Sequence, residues 1–161
     1  AFRDVRLVAA ALIMLGLVLL AAEVRSKRHK DVDQISFWDA VLVGVAQAFA
    51  IVPGVSRSGA TITMALFRGV KRSSAARFSF LLGTPIIAGA AVNQVYDVAR
   101  AGISPSEQAG FALGVASAAL VGYLSIAFLL RYLQRNSTLV FVVYRLILGV
   151  AVLALAFARG S

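Results

Sequence analysis

The sequence predicts an all-α integral membrane protein, and three observations carry this prediction. Hydrophobic residues make up 60% of the 161 residues. Charged residues make up only 14%, whereas a soluble domain carries roughly a quarter. The apolar runs are long and continuous, unlike the alternating segments of about ten residues that build an outer-membrane barrel. We therefore expect one membrane domain over residues 1–161, built as a helical bundle.

Four apolar runs are long enough to cross a hydrocarbon core of about 30 Å. They cover residues 5–22, 78–99, 108–131 and 139–158. Ser104 and Pro105 mark the start of the third run as a helix. The last run contains a charged residue, Arg145.

A fifth apolar stretch, 37–67, is interrupted at 53–57, within the sequence IVPGVSRSGATI. Ser36 or Asp39 is expected to cap its start. Proline lacks an amide donor and pushes the preceding residue out of helical geometry, and glycine accepts dihedrals that other residues avoid. Pro53 and Gly54 therefore predict that one short helix stops inside the membrane and that a second begins near Ser58.

The charge distribution favours a re-entrant helix pair over one kinked span. If the pair enters and leaves on one side, the loops 23–36, 68–77 and 131–138 share that side, and the basic residues divide ten against four. The opposite side then carries Arg3, Arg6, Arg100 and Arg159. Since cytoplasmic loops are enriched in basic residues, the first side is predicted to be cytoplasmic. The ten are Arg25, Lys27, Arg28, Lys30, Arg68, Lys71, Arg72, Arg77, Arg131 and Arg135.

Composition also excludes several kinds of chemistry. The chain has no cysteine, and its one histidine, His29, lies in a basic loop without the converging ligands that a metal site needs. The net charge of +9 fits anionic lipid headgroups better than nucleic acid, because no nucleic-acid-binding motif is present. The chain begins without a methionine and enters an apolar run at once, which suggests a fragment of a longer protein.

The break at 53–57 is predicted to bind an anion. Backbone amides in the first turn of a helix have no intrahelical partner and carry the positive end of the dipole. Arg57 adds a planar fork that suits a phosphate oxygen pair. Gly54 and Gly59 allow a close approach to the backbone, and hydroxyl donors come from Ser56, Ser58 and Thr61. The alternative is structural, with Arg57 paired to a carboxylate elsewhere.

Two other features receive a structural interpretation. Arg145 could snorkel, line the same cavity or pair with Asp97 or Glu23, and a structural ion pair is the favoured role. A stripe of small residues in the third run is typical of close helix contact. Its members are Gly110, Gly114, Ala118 and Gly122.

The stretches DAVLVGVAQAFAIVPGVSRSGATIT (39–63) and AARFSFLLGTPIIAGA (75–90) resemble the undecaprenyl-pyrophosphate phosphatases, the bacitracin-resistance family. Pro53 to Thr61 matches that family's second signature, Pro-Gly-x-Ser-Arg-Ser-Gly-x-Thr, without a departure. YRLILG (144–149) fits as well, so the resemblance runs along essentially the whole chain.

The resemblance implies a bundle of two inverted repeats, each with a re-entrant helix pair, of which this chain holds the second. It implies hydrolysis of the C55 polyprenyl pyrophosphate, which recycles the lipid carrier for cell-wall synthesis at the bacterial inner membrane. The site would open to the extracytoplasmic face. Arg57 would bind the pyrophosphate, and Ser56 and Thr61 would be phosphate ligands or the nucleophile. A divalent metal, Mg or Ca, is the expected cofactor.

The family's first signature, with its glutamate pair, serines and histidine, has no counterpart here. The resemblance therefore implies that the base and most metal ligands lie on an absent N-terminal part, and that this chain alone does not turn over substrate. No metal ligand is assigned within this chain, and a homodimer is left open. A polyprenyl-phosphate flippase or an anion transporter would use the same broken helices and is the alternative function.

Overall fold

A computed structural model describes residues 5–102 and 104–158. Among these residues the only β pairing is one isolated bridge between Lys30 and Val70, and short 3-10 turns lie at Val32–Gln34 and Phe49–Ile51. The rest of the ordered structure is six helices, which confirms the all-α prediction. They are α1 (Val5–Arg25), α2 (Phe37–Ala48), α3 (Arg57–Phe67), α4 (Arg72–Ala101), α5 (Pro105–Arg135) and α6 (Leu139–Ala158).

Four of the described helices, α1, α4, α5 and α6, are long and apolar enough to cross a membrane. The protein is thus an integral membrane helical protein. The helices are longer than the apolar runs, because hydrogen bonding along a helix continues past the hydrocarbon into the headgroup region. For example, α4 begins at Arg72 and α5 ends at Arg135, each several residues outside the predicted spans.

The core forms where α1 packs along α6. A Cβ placed on Gly149 would lie 2.6 Å from Ile13 Cγ1 and 3.2 Å from the Ala9 carbonyl oxygen. A Cβ on Gly16 would lie 3.3 Å from Leu146 Cδ2. These two glycines therefore let the helices approach closely, which is how membrane helices gain dispersion energy without a hydrophobic driving force between them.

Helices α2 and α3 form a hairpin. Its two outer ends, the segment before α2 and the segment after α3, lie side by side. The Gly69 carbonyl accepts hydrogen bonds from the His29 and Lys30 amides at 2.9 and 3.0 Å, and Lys71 N donates to the Lys30 carbonyl at 2.9 Å. At the start of α2, Ser36 Oγ accepts from Asp39 N at 3.2 Å, and Asp39 Oδ2 accepts from Ser36 N at 3.1 Å. This reciprocal pair is a capping box, so both residues named as candidate caps contribute.

Ion pairs hold the loops at this end together. The buried Glu23 carboxylate accepts from Arg28 Nη1 at 2.9 Å, from Arg72 Nε at 2.9 Å and from Thr138 Oγ1 at 2.7 Å. One carboxylate thereby joins the loop after α1, the start of α4 and the loop before α6. The three basic loops predicted to share a side do meet at one end of the molecule.

The same end carries two further ion-pair groups. Asp39 is fully buried and accepts from Lys30 Nζ at 2.8 Å and from Arg68 Nε at 2.6 Å. In the loop between α1 and α2, the Asp31 carboxylate accepts a hydrogen bond from Lys71 Nζ at 2.5 Å. This bond holds the pKa of the Asp31 carboxyl below its usual value. The ten basic residues on this side are therefore partly neutralised.

Arg3 and Arg159, assigned to the other side, lie outside the described residues.

The tip of the hairpin rests on α1 far from those loops. Gly54 has φ +92°, and a Cβ there would lie 2.6 Å from the Val8 carbonyl oxygen and 3.0 Å from Ala11 Cβ. Val8 and Glu23 lie fifteen residues apart on α1. At 1.5 Å per residue this separation is about 22 Å. The hairpin thus extends along most of the length of α1.

The small-residue stripe of α5 is mostly exposed in the described structure, with Gly122 half-buried. A Cβ placed on Gly110, Gly114 or Gly122 would have nothing within 4 Å, and Ala118 is exposed. Among the described residues α5 packs mainly against α4 and leaves this face open, so the predicted close helix contact stays a prediction.

Candidate functional site

The break lies between the end of α2 and the start of α3. Ser56 is the N-cap of α3, and its Oγ accepts from Gly59 N at 3.1 Å and lies 3.3 Å from Ser58 Oγ. The backbone amides of Arg57 and Ser58 lie in the first turn of α3 and have no hydrogen-bond acceptor within the helix. Two hydroxyls and the positive end of the α3 dipole thus lie together, as the anion-site prediction requires.

Arg145 reaches this break from α6. The residue is only 8% exposed, and its Nη2 donates to the Gly54 carbonyl oxygen at 3.0 Å. A Cβ on Gly59 would lie 3.0 Å from Arg145 Nη1. The favoured interpretation of Arg145 as an ion-pair partner of Glu23 or Asp97 is wrong. Glu23 is occupied by other cations, and Asp97 accepts from Asn93 on α4.

A cavity of about 240 Å³ opens beside Arg145 and the serines. Ser56, Ser58 and Gly59 form its polar wall on α3. Its other lining residues come from α1, a later turn of α3, α5, α6 and the turn before α6, and most of them are apolar. They are Leu19, Ile62, Leu129, Leu133, Thr138, Phe141, Tyr144 and Arg145.

Arg57 points to the other side of α3. A Cβ on Gly83 of α4 would lie 3.2 Å from Arg57 Nη2 and 3.3 Å from Arg57 Cζ, so the guanidinium lies flat against the bare backbone of that helix. Arg57 and Gly59 are two residues apart, which corresponds to about 200° around a helix. The guanidinium groups of Arg57 and Arg145 therefore flank the first turn of α3 from opposite sides.

Thr61 is fully buried, and its hydroxyl is already engaged. Its Oγ1 lies 2.6 Å from Ser79 Oγ on α4 and donates toward the Arg57 and Ser58 carbonyls at 3.0 and 3.1 Å. This geometry holds α3 against α4. The predicted role of Thr61 as a phosphate ligand or nucleophile stays a prediction, and the structure adds a packing role beside it.

Within the described part of the chain, no carboxylate lies within ion-pair distance of Arg57 or Arg145. The structural alternative, in which Arg57 pairs with an acid elsewhere, therefore has no described partner. A buried guanidinium without a counter-charge is costly. Arg145 is such a group, and together with Arg57 it brings two carboxylate-free guanidinium groups to one helix start, which fits a site for a multiply charged anion.

The described residues do not fit a divalent metal. No cluster of three or more His, Asp or Glu side chains occurs among them, and the polar groups at the break are guanidinium, hydroxyl and amide donors. The cavity lining also contains no carboxylate or histidine. These residues can bind and orient a phosphate group, and none of those described is placed to take a proton from a nucleophile.

Sequence reasoning found the break and named Arg145 as a charged residue in an apolar span that could line the same cavity, which the structure confirms, although it favoured an ion pair. It missed one neighbour, Gly83. No feature of the sequence identifies Gly83 as part of the site, because its contact with Arg57 depends on how α4 packs against α3.

Residues 1–151 match the family model described as bacitracin resistance protein BacA. The chain belongs to this family. It is 50% identical over 149 residues to a protein of Thermomicrobium roseum, covering 92% of this chain and 54% of the relative. Identity is 49% over 153 residues to a protein of Geobacter sulfurreducens, covering 95% and 57%. Both relatives are named undecaprenyl-diphosphatase. The chain thus spans about half the length of these relatives.

Proposed function

We propose that this chain supplies the pyrophosphate-binding part of an enzyme that hydrolyses undecaprenyl pyrophosphate to undecaprenyl phosphate. The observation that carries the proposal is the pair of carboxylate-free arginines around the start of α3. Membership of the bacitracin-resistance family and the name shared by its relatives support the same reaction. Those names give no support to the flippase or transporter alternative.

The binding step follows from the local geometry. Arg57 offers a planar pair of donors, and the amides at the start of α3 add dipolar attraction for negative charge. Ser56 Oγ accepts from Gly59 N at 3.1 Å and lies 3.3 Å from Ser58 Oγ. Because only one of these two hydroxyls donates to the other, the second keeps a proton that a phosphate oxygen can accept. We keep Ser56 and Thr61 as candidate nucleophiles, although no described residue is positioned to activate either.

The α2–α3 hairpin is proposed to be re-entrant and to belong to the second of two inverted repeats. Its two outer ends lie beside the basic loops, and its tip lies about 22 Å away along α1. In a hydrocarbon core of about 30 Å, the tip would then approach the opposite, extracytoplasmic face. The exposed Phe37 and Trp38 at the start of α2 suit the aromatic belt of the cytoplasmic interface.

The other parts of the enzyme are proposed to lie outside the described residues. The general base and any divalent-metal ligands would come from an N-terminal part of the same protein, in the bacterial inner membrane. This chain alone is therefore expected to bind pyrophosphate without hydrolysing it. A homodimer remains a proposal without a described interface.

A chimera tests the proposed function. This chain replaces the stretch that it matches in the Thermomicrobium roseum relative, and phosphate release from C55 polyprenyl pyrophosphate is measured in detergent. We expect release by the chimera and none by the 161-residue chain alone. Arg57→Lys should lower turnover by about tenfold or more, because a point charge does not replace a bidentate fork.

Two controls make the result interpretable. Arg131→Lys changes an exposed arginine on α5 near the basic loops and should leave turnover unchanged. A chimera that folds and inserts but releases no phosphate would sink the proposed function. Turnover by the isolated chain would contradict the assignment of the base to another part of the protein.

A further inference from the structure

We infer that Arg145 binds the phosphoryl group that is attached to the prenyl chain, while Arg57 binds the terminal one. This inference rests on the proposed function and places the headgroup across the N-terminus of α3, with one phosphoryl group toward each arginine. It makes Arg145 a specificity-determining residue for lipid-linked phosphates.

The first support is the burial of Arg145 without a compensating acid. The residue is 8% exposed, and its Nε has no hydrogen-bond partner among the described residues. Among the described residues, its bond to the Gly54 carbonyl is the one hydrogen bond that uses any of its five donors. A guanidinium that is buried, charged and mostly unpaired is costly, and a bound anion would offset that cost.

The second support is the position of Arg145 relative to the α3 terminus. Its Nη1 lies beside Gly59, and it shares a cavity wall with Ser56 and Ser58. The absent side chain at Gly59 leaves the first turn of α3 accessible from this side. A phosphate placed there could accept hydrogen bonds from the guanidinium and from the serine hydroxyls.

The third support decides which phosphoryl group goes where. The cavity next to Arg145 is walled by the apolar side chains of Leu129, Leu133 and Phe141. Arg57 lies on the other side of α3, against the backbone of Gly83. The apolar cavity beside Arg145 can accept the beginning of a prenyl chain, so the phosphoryl group bonded to that chain belongs with Arg145. The volume of about 240 Å³ is below the usual 300–1,000 Å³ of a whole-ligand pocket. The cavity would therefore hold only the beginning of the chain.

The assignment predicts a different ligand dependence for each arginine. Farnesyl phosphate, a short prenyl monophosphate, would use the Arg145 side and should depend little on Arg57. Farnesyl pyrophosphate would need both arginines. A hydrogen bond to a charged group contributes roughly 1.5–3 kcal/mol, which corresponds to about 10- to 150-fold in affinity.

The experiment measures the binding of both probes to the purified 161-residue chain in detergent micelles. Arg145→Met should weaken farnesyl phosphate by about tenfold or more, and Arg57→Met should leave that probe within about threefold of wild type. Both variants should weaken farnesyl pyrophosphate. Arg145→Lys keeps a cation that can still bond the Gly54 carbonyl, so it should retain the fold yet weaken farnesyl phosphate. Arg131→Met is the matched control.

The outcomes separate the two proposals. If the wild-type chain binds neither probe, the proposed function fails, and this inference fails with it. If farnesyl pyrophosphate binds but Arg145→Lys, with unchanged thermal unfolding, retains full affinity for farnesyl phosphate, only the assignment of Arg145 is overturned. An equal loss of both probes in the Arg57 and Arg145 variants would also overturn it, since one shared subsite would then explain the data.

Discussion

Replacing Gly54 by alanine should destabilise the hairpin more than any other single methyl addition at the break. Gly54 has φ +92°, a conformation that costs other residues roughly 1–2 kcal/mol. The new Cβ would also lie 2.6 Å from the Val8 carbonyl oxygen, which is backbone and cannot rotate away. Such overpacking costs about 1–3 kcal/mol. Together the free energy of unfolding should fall by about 2–5 kcal/mol.

A matched control lies on the same hairpin. Gly44 is in α2, and a Cβ there has nothing within 4 Å. Gly44→Ala should therefore stabilise the protein by about 0.5–1 kcal/mol, the usual gain from removing glycine from a helix interior. The two variants add the same methyl group, so their difference isolates the strained and crowded position.

The assay is denaturant unfolding in micelles, followed by the fluorescence of Trp38, the one tryptophan in the chain. Because the Gly54 carbonyl accepts from Arg145, a displaced tip should also weaken farnesyl phosphate binding. A free energy of unfolding for Gly54→Ala within about 0.5 kcal/mol of wild type, the usual range for a neutral surface change, would contradict this prediction.

Three further predictions concern the packing around the break and the ion pairs. Asp39→Asn should lower the free energy of unfolding by about 1–3 kcal/mol, because a buried acceptor of two cations loses its charge; exposed Asp33→Asn should have no measurable effect in the same unfolding assay. Thr61→Val should cost about 1–3 kcal/mol by leaving the buried hydroxyl of its partner serine unpaired; a loss of chimera turnover at unchanged stability would instead support a catalytic Thr61. Gly83→Leu should push away the arginine that lies against it and weaken farnesyl pyrophosphate binding. Gly89→Leu on the same helix has open space and should bind normally; equal binding by both variants would contradict this placement of the arginine.

The sequence alone predicted the membrane class, the four long helices and the position of the break. These features depend on local properties: the length of an apolar run, the geometry of Pro53 and Gly54, and the capping tendency of serine. The shared side of the three basic loops was also predictable, because charge asymmetry reports on topology. The Glu23 and Asp39 ion pairs at that end agree with the prediction.

The partners across helices were not predictable. The sequence contains several acidic residues that could pair with Arg145. Its actual partner, the Gly54 carbonyl, is set by the packing of α6 against α1 and α3. The α5 stripe has a spacing that suits a close contact, and its partner is not among the described residues. In both cases the outcome depends on which helix faces which, and no local signal encodes that choice.

The pairing of α1 with α6 has a consequence for how the protein is made. Glu23 and Thr138 meet across 115 residues of chain. During synthesis, α1 enters the bilayer long before its principal partner leaves the ribosome, so the contact between Gly16 and α6 forms late. The hairpin tip resting on Val8 can dock earlier, because α2 and α3 follow α1 directly in the chain. The anion site is therefore completed last, when the arrival of α6 brings Arg145 to a loop that is already in place.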